Sequence, residues 1–123
     1  WGLFRHPVAA KWHMGSLAIL GDAAHPTLPF LAQGANLAIE DAFVLARSCD
    51  EAAELEQALA TYQSRRRARV VKAIAAANKN AKNYHLSGLQ RRVAHAGLKA
   101  MGKVAPDAFL NRLGWLYDHD VTA

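Results

Sequence analysis

The feature that most constrains the fold is a short apolar run followed by a glycine-acid pair and a small, amide-rich helix start. Leu17–Leu20 are typical of a short buried strand, and Gly21 directly after them allows a close backbone approach. Asp22 is therefore expected at the carboxyl end of a strand. Gln33–Asn36 then open a predicted helix, whose N-terminal N–H groups and macrodipole favour an acceptor or an anion. Together these segments predict a ligand site beside a strand end.

The residues after this segment have the spacing of helices. A first helix is predicted over residues 36–47, with an apolar face formed by Ile39, Ala42, Phe43 and Ala46. Ser48–Glu51 match a capping box, which predicts that a long helix begins there and extends to about Tyr84. Shorter helices are expected over about 89–101 and from Pro106 through Leu116.

One charged residue falls on the apolar face of the predicted long helix. That face consists of Leu55, Leu59, Tyr62, Arg66, Val70, Ala73, Ile74, Ala77 and Ala81. Arg66 stands four residues from both Tyr62 and Val70, so the three side chains share one face of the helix. We therefore expect Arg66 to form a buried or interfacial ion pair.

Composition limits the class of protein. The chain has 123 residues, of which 52% are hydrophobic and 20% charged, as is typical of a globular chain with a core. No apolar run reaches the roughly 20 residues that span a bilayer, so a membrane is not an expected partner. The single cysteine, Cys49, cannot form an internal disulfide, and a cytoplasmic location is the expectation.

Two basic runs leave a second class of function open. The net charge of +5 concentrates in residues 65–69 and again at Arg91 and Arg92. A basic stripe of this kind is found in proteins that bind nucleic acid. The other interpretation is a solvated helix face that pairs with acidic residues. We favour that interpretation, so nucleic acid is not an expected partner.

The six histidines give no pattern that is typical of a metal site. They form no His-Glu-x-x-His, and one cysteine cannot supply a paired-cysteine motif, so no metal is predicted. His25 alone lies inside the strand-turn-helix segment. It is either a proton relay beside a ligand or a structural histidine that fixes the loop through hydrogen bonds to the backbone. The structural interpretation is favoured.

These motifs together resemble the second flavin-binding motif of the single-component FAD-dependent aromatic hydroxylases. The matching segments are Gly21–Pro26, Pro29, Gln33–Asn36 and Glu40–Ala42. The match extends upstream to Trp12 and Gly15, and downstream to the family's Tyr-x-x-x-Arg-x-x-Arg pattern at Tyr62, Arg66 and Arg69. The loop at 28–35 and the tail at 115–120 are similar to the salicylate-hydroxylase-like branch.

The resemblance implies an FAD-dependent monooxygenase that hydroxylates an aromatic, salicylate-like small molecule with NAD(P)H and O₂. It assigns cofactor binding to Gly21, Asp22, Pro29, Gln33, Gly34, Ala35 and Asn36. In the family the aspartate binds the ribityl chain, the helix N-terminus points at the N1/C2=O edge of the flavin, and the proline lines its reactive face. The resemblance identifies no catalytic residue. Ala32 stands where many members of the family have glycine.

The expected fold is mostly α with a short β segment at the N-terminus, as the C-terminal fragment of an α/β, Rossmann-like flavoprotein. Residues 1–47 are predicted to be the last piece of the FAD-binding domain, and residues 48–123 a helical C-terminal region. The sequence has no Gly-x-Gly-x-x-Gly, so the expected partner is an N-terminal Rossmann half of the same enzyme, and the isolated chain is expected to be inactive. An unpaired strand edge would also favour a homo-oligomer.

Two other functions remain open beside nucleic-acid binding. The first keeps FAD and changes the reaction to epoxidation or another oxidation. The second is a noncatalytic helical module that binds a partner chain carrying the Rossmann half.

Overall fold

The computed structural model describes residues 6–84, 86–104 and 106–123. Two short strands, β1 (His13–Met14) and β2 (Leu17–Ala18), precede two 3-10 turns at Gly21–Ala23 and Pro29–Leu31. Four helices follow, and they are α1 (Gly34–Glu51), α2 (Leu55–Tyr84), α3 (Gly88–Val104) and α4 (Pro106–Tyr117). The expectation of a mostly helical chain with a short β segment near its start is confirmed.

The β segment is a two-stranded antiparallel hairpin. His13 pairs with Ala18 and Met14 with Leu17, and Gly15 between the strands has a φ of 56°, which favours glycine. The prediction of a buried strand over 17–20 is wrong in two respects. The strand includes only Leu17 and Ala18, and Leu17 is 69% exposed. A hairpin of two strands gives each strand one neighbour, and no second layer of described residues covers Leu17.

Trp12 anchors the segment before the hairpin to the rest of the fold. Its side chain is fully buried, and its ring lies 5.3 Å from that of His25 and 5.6 Å from that of Tyr62, measured between centroids. The Trp12 N–H donates to Gln63 Oε1 on α2 at 2.8 Å, and the indole N–H donates to the Ala9 carbonyl at 2.9 Å. The chain before the hairpin is thus fixed against α2.

The buried face of α1 is not the one that hydrophobic spacing predicts. Its buried residues are Leu37, Asp41, Val44 and Ser48, whereas Ile39 is 67% and Phe43 is 39% exposed. The predicted apolar face was therefore wrong as the core-facing side. The cause is electrostatic, because Asp41 faces charged partners on α2 and the backbone of the Gly21–Ala23 turn. Those contacts bury the face of α1 that carries both polar and apolar residues, including Asp41 and Leu37.

The predicted capping box at Ser48–Glu51 is also wrong. These residues form the last turn of α1, which ends where Ala52 adopts an extended conformation, and α2 begins at Leu55. Glu51 reaches back to Arg47 at 2.8 Å in an i,i+4 ion pair. Ser48 is buried. The Ser48 carbonyl accepts the Ala52 N–H at 3.2 Å, so Ser48 and Glu51 both belong to the C-terminal end of α1.

The predicted face of α2 is confirmed apart from its first residue. Leu59, Tyr62, Arg66, Val70, Ala73, Ile74, Ala77 and Ala81 are all buried, while Leu55 is 49% exposed. Arg66 is buried among apolar neighbours on its own helix, as its position on the face predicts.

The chain divides into two compact units between Ala81 and Lys82. In the second unit α3 packs against α4, and both helices agree with the sequence expectation to within a few residues. Leu116 on α4 is 2% exposed, whereas Leu89 and Val93 on α3 are 75% and 64% exposed. The predicted division at residues 47 and 48 concerns domains of a larger enzyme and stays a prediction.

Candidate functional site

A cavity of about 480 Å³ lies in the first unit, where the Gly21–Ala23 turn, the following loop and the start of α1 meet. Its walls are formed by Asp22, Thr27, Leu28, Pro29, Ala32, Gly34, Ala35 and Ala38. Four predicted site residues are in this set, namely Asp22, Pro29, Gly34 and Ala35. The volume lies within the range of small-molecule sites, roughly 300–1,000 Å³.

The start of α1 supplies the donors of this cavity. The Leu37 N–H donates to the Gln33 carbonyl at 2.9 Å, so the N–H groups of Gly34, Ala35 and Asn36 precede the hydrogen-bonded ladder of the helix. Within the described residues no side chain caps this end, and no acidic residue lies in the first turn. The helix macrodipole adds to these donors, so this wall favours a negative or hydrogen-bond-accepting group.

Asp22 supplies an acceptor on the opposite wall. Its side chain is exposed on the 3-10 turn, and a Cβ built on Gly34 would lie 3.8 Å from Asp22 Oδ1. A carboxylate and a set of free amides therefore line the same cavity a few ångströms apart. This donor set fits a ligand that carries hydroxyl groups at one point and an electron-rich edge at another, as the ribityl chain and isoalloxazine of FAD do.

The loop between turn and helix has one strained residue. Pro29–Leu31 form a single 3-10 turn, and Ala32 closes it with a φ of 51° and a ψ of 31°. This left-handed conformation costs a non-glycine residue roughly 1–2 kcal/mol. Ala32 is the position at which many members of the family resembled have glycine, and its backbone shows why glycine suits it.

Gly21, Gln33 and Asn36, the other predicted site residues, do not line the cavity. Gly21 is buried with a φ of +57°, and a Cβ there would lie 3.1 Å from Ala38 Cβ on α1. Gln33 is 2% exposed, and its Nε2 donates to the Leu31 carbonyl at 3.4 Å. Asn36 is exposed. Gly21 therefore allows the turn to pack closely on α1, and Gln33 braces the loop.

Behind the cavity Asp41 accepts three hydrogen bonds in a fully buried position. Its Oδ2 accepts the Gly21 N–H at 3.0 Å and lies 2.5 Å from His25 Nε2, while its Oδ1 accepts Arg66 Nε at 2.7 Å. Burial raises the pKa of the Asp41 carboxyl, but the hydrogen bonds from His25, Arg66 and Gly21 outweigh it and lower the pKa below its ordinary value. Asp41 is therefore a carboxylate at neutral pH.

Glu40 extends the network along α1 to a second arginine. Arg66 Nη1 lies 2.7 Å from Glu40 Oε2, and Arg69 binds both Glu40 carboxylate oxygens at 2.7 Å. Burial raises the pKa of Glu40, whereas hydrogen bonding from Arg69 and the charge of Arg66 outweigh it and lower the pKa. The expected ion pair of Arg66 is confirmed. Arg66 and Arg69 both join α2 to α1.

Tyr62 completes the contacts that the Tyr-x-x-x-Arg-x-x-Arg pattern makes. Its hydroxyl donates to the Ile19 carbonyl after β2 at 3.2 Å, and its ring packs against Trp12. Burial raises the pKa of Tyr62, and the negative charge of Asp41 adds to that effect. The pattern is thus a set of contacts from α2 to the hairpin and to α1.

His25 has a structural position, but its partner differs from the expected one. The side chain is fully buried, and the backbone hydrogen bond predicted for it is replaced by the contact with the Asp41 carboxylate. Its Nδ1 has no partner among the described residues. His25 does not line the cavity.

Other kinds of site find little support in the described part of the chain. No group of three or more His, Cys, Asp or Glu side chains there could hold a metal ion, and no described helix is long and apolar enough to cross a membrane. Three arginines of the basic run are in ion pairs, since Arg65 lies 2.8 Å from Glu51 and Arg66 and Arg69 bind Glu40.

Comparison with known proteins identifies the family. The family model described as an FAD binding domain matches residues 3–77, more than half of the chain. The chain belongs to the FAD-binding domain family. The resemblance to FAD-dependent hydroxylases is therefore confirmed, and FAD is the cofactor that the family's description names.

Relatives of this FAD-binding chain include monooxygenases of aromatic compounds. It is 43% identical over 91 residues to the FAD-dependent monooxygenase OpS4 of Beauveria bassiana, which covers 70% of this chain and 21% of that protein. It is 32% identical over 118 residues to 3-hydroxybenzoate 6-hydroxylase of Polaromonas naphthalenivorans, covering 95% and 28%. For 3-amino-4-hydroxybenzoate 2-monooxygenase of Streptomyces cremeus the identity is 38% over 87 residues, covering 70% and 22%. The chain thus spans about a fifth to a third of the relatives' length.

Sequence reasoning missed two groups of residues in the FAD-binding chain. Thr27, Leu28 and Ala38 line the cavity, and only their proximity to the motif pointed to them. Asp41 was placed only within the Glu40–Ala42 match, and its burial seven residues into α1, which begins at Gly34, was not predicted. Its four-residue spacing from Leu37, which puts both side chains on one face of a helix, was the available signal.

Proposed function

We propose that this chain supplies the flavin-ring and ribityl side of the FAD site of an aromatic-ring monooxygenase. The observation that carries the proposal is the cavity in which Asp22 faces the uncapped N-terminus of α1. Family membership and the relatives named as hydroxybenzoate hydroxylases support the same conclusion. The parent enzyme would be a Rossmann-like α/β protein, with a cytoplasmic location as our further expectation.

Each predicted residue has a distinct task in this proposal. The Asp22 carboxylate accepts hydrogen bonds from ribityl hydroxyl groups. The N–H groups of Gly34 and Ala35, which line the cavity, donate to the N1/C2=O edge. Asn36 does not line the cavity and contributes through the helix N-terminus, which stabilises negative charge by roughly 0.3–1 kcal/mol, or more when partly buried. Pro29 lines the face on which the reaction takes place. Gly21 and Gln33 support the cavity without lining it. Gly21 allows the turn to pack closely on α1, and Gln33 holds the loop through its bond to the Leu31 carbonyl.

A flavin held here would supply the redox chemistry, in which two electrons from NAD(P)H reduce O₂, one oxygen atom enters an aromatic ring and the other leaves as water. The chain's own part is to bind and orient the cofactor and to exclude water from one side of it. The substrate class proposed is a hydroxylated benzoic acid or a similar phenolic acid, salicylate included, because relatives are named for such compounds. The dinucleotide half would come from an N-terminal Rossmann segment of the same enzyme.

The first test is a titration of FAD and riboflavin with the purified chain, followed by visible absorption. We expect a saturable spectral change with both flavins and no displacement of bound riboflavin by ADP, because the cavity is assigned to the ring and the ribityl chain. Asp22→Ala should weaken binding at least about tenfold, equal to about 1.4 kcal/mol. Asp50→Ala removes an exposed carboxylate in the last turn of α1 that does not line the cavity, so it is the matched control and should bind like the unchanged chain.

Equal binding by the Asp22 and Asp50 variants would show that the cavity is not the flavin site. Hydroxylation is tested separately, by replacing the matching segment of the Polaromonas 3-hydroxybenzoate 6-hydroxylase with this chain. We expect no NAD(P)H oxidation by the chain alone and flavin-dependent oxidation by the chimera. A folded, flavin-loaded chimera without oxidation stimulated by an aromatic acid would argue for one of the other functions.

A further inference from the structure

We propose that Asp41 is a positioning residue of the flavin site, setting the distance between the Asp22 carboxylate and the N-terminus of α1. The proposal rests on the proposed function for its ligand. Asp41 does not line the cavity, so it would act on the ligand only through the backbone segments that it holds.

The contacts of Asp41 bracket Asp22. One carboxylate oxygen, Oδ2, accepts the N–H of Gly21 directly before Asp22 and contacts the ring of His25 three residues after it. Between these points the turn closes on itself, since the N–H groups of Ala24 and His25 both donate to the Gly21 carbonyl at 2.9 Å. The segment 21–25 is thus a small closed unit. Within the described chain, Asp41 is the side chain that bonds it at both ends.

Asp41 also belongs to the helix that carries the donors. It lies seven residues after Gly34 in the single helix α1, so its position relative to the N-terminal amides is fixed by helix geometry. Holding the segment 21–25 on Asp41 therefore fixes Asp22 relative to those amides. Arg66 on α2 bonds the other oxygen and keeps the carboxylate charged and oriented.

The close packing at Gly21 makes the arrangement sensitive to small shifts. A Cβ at Gly21 would lie 3.1 Å from Ala38 Cβ, so the turn lies directly on α1 with little free space. If the bond to Asp41 is lost, the turn can move only away from the helix. Such movement separates the acceptor from the donors and widens the cavity, and ligand affinity falls although no contact with the ligand has been removed.

The test compares Asp41→Asn with Val70→Ala in the purified chain. Asp41→Asn keeps the size of the side chain and removes its charge. Val70 is fully buried on α2 and does not line the cavity, so its truncation should lower the melting temperature and leave the contacts of Asp41 in place. Two quantities are measured for each variant, the dissociation constant for riboflavin and the hydrogen-exchange protection of the Gly21–His25 amides.

We expect Asp41→Asn to weaken riboflavin binding at least about tenfold and to lower protection of the Gly21 amide at least about tenfold, with α2 remaining protected. Val70→Ala should change binding less than about twofold at a comparable melting temperature. Equal weakening by the two variants would mean that Asp41 acts through stability alone, and unchanged Gly21 protection in Asp41→Asn would also overturn the proposal.

Failure of the two proposals can be told apart. If the unchanged chain binds neither riboflavin nor FAD, the proposed function of the cavity fails, while the exchange measurement still decides whether Asp41 holds the turn. If Asp41→Asn does not fold, the same measurements are made on His25→Leu, which has no donor for the carboxylate and keeps Arg66. A smaller loss of protection at 21–25 and a smaller loss of affinity are expected, and no change in either would overturn the proposal.

Discussion

The middle and the start of α1 differ in how completely their polar groups are bonded. In the middle, Glu40 and Asp41 are held by Arg66, Arg69 and His25 in a buried network. At the start, the described side chains provide no cap and no acid in the first turn, and Ala32 just before it is strained. We call the middle of α1, where Glu40 and Asp41 have bonded partners, the satisfied region, and its uncapped start the unsatisfied end. The comparison teaches that the satisfied region fixes the backbone, so the unsatisfied end beside it is held in place and left available to a ligand.

The largest expected effect comes from breaking the satisfied region at Arg66. Arg66→Met leaves the buried Asp41 and the largely buried Glu40 near each other with one cation fewer, and removing one partner of a buried pair costs about 3–5 kcal/mol. Urea unfolding followed by circular dichroism measures the loss. Arg65→Met is the matched control, because its pair with Glu51 lies at the surface, is screened by water and should contribute far less. Equal losses in the two variants would contradict a special role for the buried network.

The same region should make stability depend on acid pH. The folded-state pKa values of Asp41 and Glu40 lie below their ordinary values of 3.8 and 4.5, so the unfolded chain binds more protons below about pH 4.5. The network's contribution is therefore fully present at neutral pH and is lost as the pH falls below 4.5 through the lowered values. Urea unfolding at a series of pH values measures it.

Two variants test which carboxylates cause that dependence. Asp41→Asn should flatten the fall in unfolding free energy below pH 4.5. Glu51→Gln should leave it nearly unchanged, because the Glu51 pairs with Arg47 and Arg65 are roughly half-exposed at the surface. A profile that is flat in the unchanged chain, or altered more by Glu51→Gln, would contradict the assignment.

The sequence predicts the satisfied region only in part, and the reason is physical. Arg66 was placed correctly because a charged residue on an otherwise apolar helix face must be buried with a partner. The partner was missed, since hydrophobic spacing on α1 selects Ile39 and Phe43, whereas burial is decided by ion pairs with a helix 25 or more residues away. Such long-range contacts leave no local periodic signal.

The sequence predicted the cavity at the start of α1 more completely, because the residues that form it are close together in the chain. A glycine-acid pair and a small-residue helix start predicted the cavity wall formed by Asp22, Gly34 and Ala35. The sequence did not predict in the same way where α1 ends. Ser48–Glu51 fit a helix start and a helix end equally, and the choice was made by the burial of Ser48 and by the Arg47–Glu51 pair.

The smallest change in the free energy of unfolding is expected at Ala32, in the loop before the unsatisfied end of α1. Ala32→Gly removes a left-handed cost of roughly 1–2 kcal/mol, while glycine's greater freedom in the unfolded chain opposes this by roughly 0.5–1 kcal/mol. The net change should be a gain in unfolding free energy of between zero and about 1.5 kcal/mol. Ala46→Gly, exposed inside α1, is the matched control and should lose about 0.5–1 kcal/mol, because there the alanine conformation is already favourable. Opposite signs in the two urea titrations would locate the strain in the loop before α1, and equal losses would show that tertiary contacts of the loop compensate the left-handed conformation of Ala32.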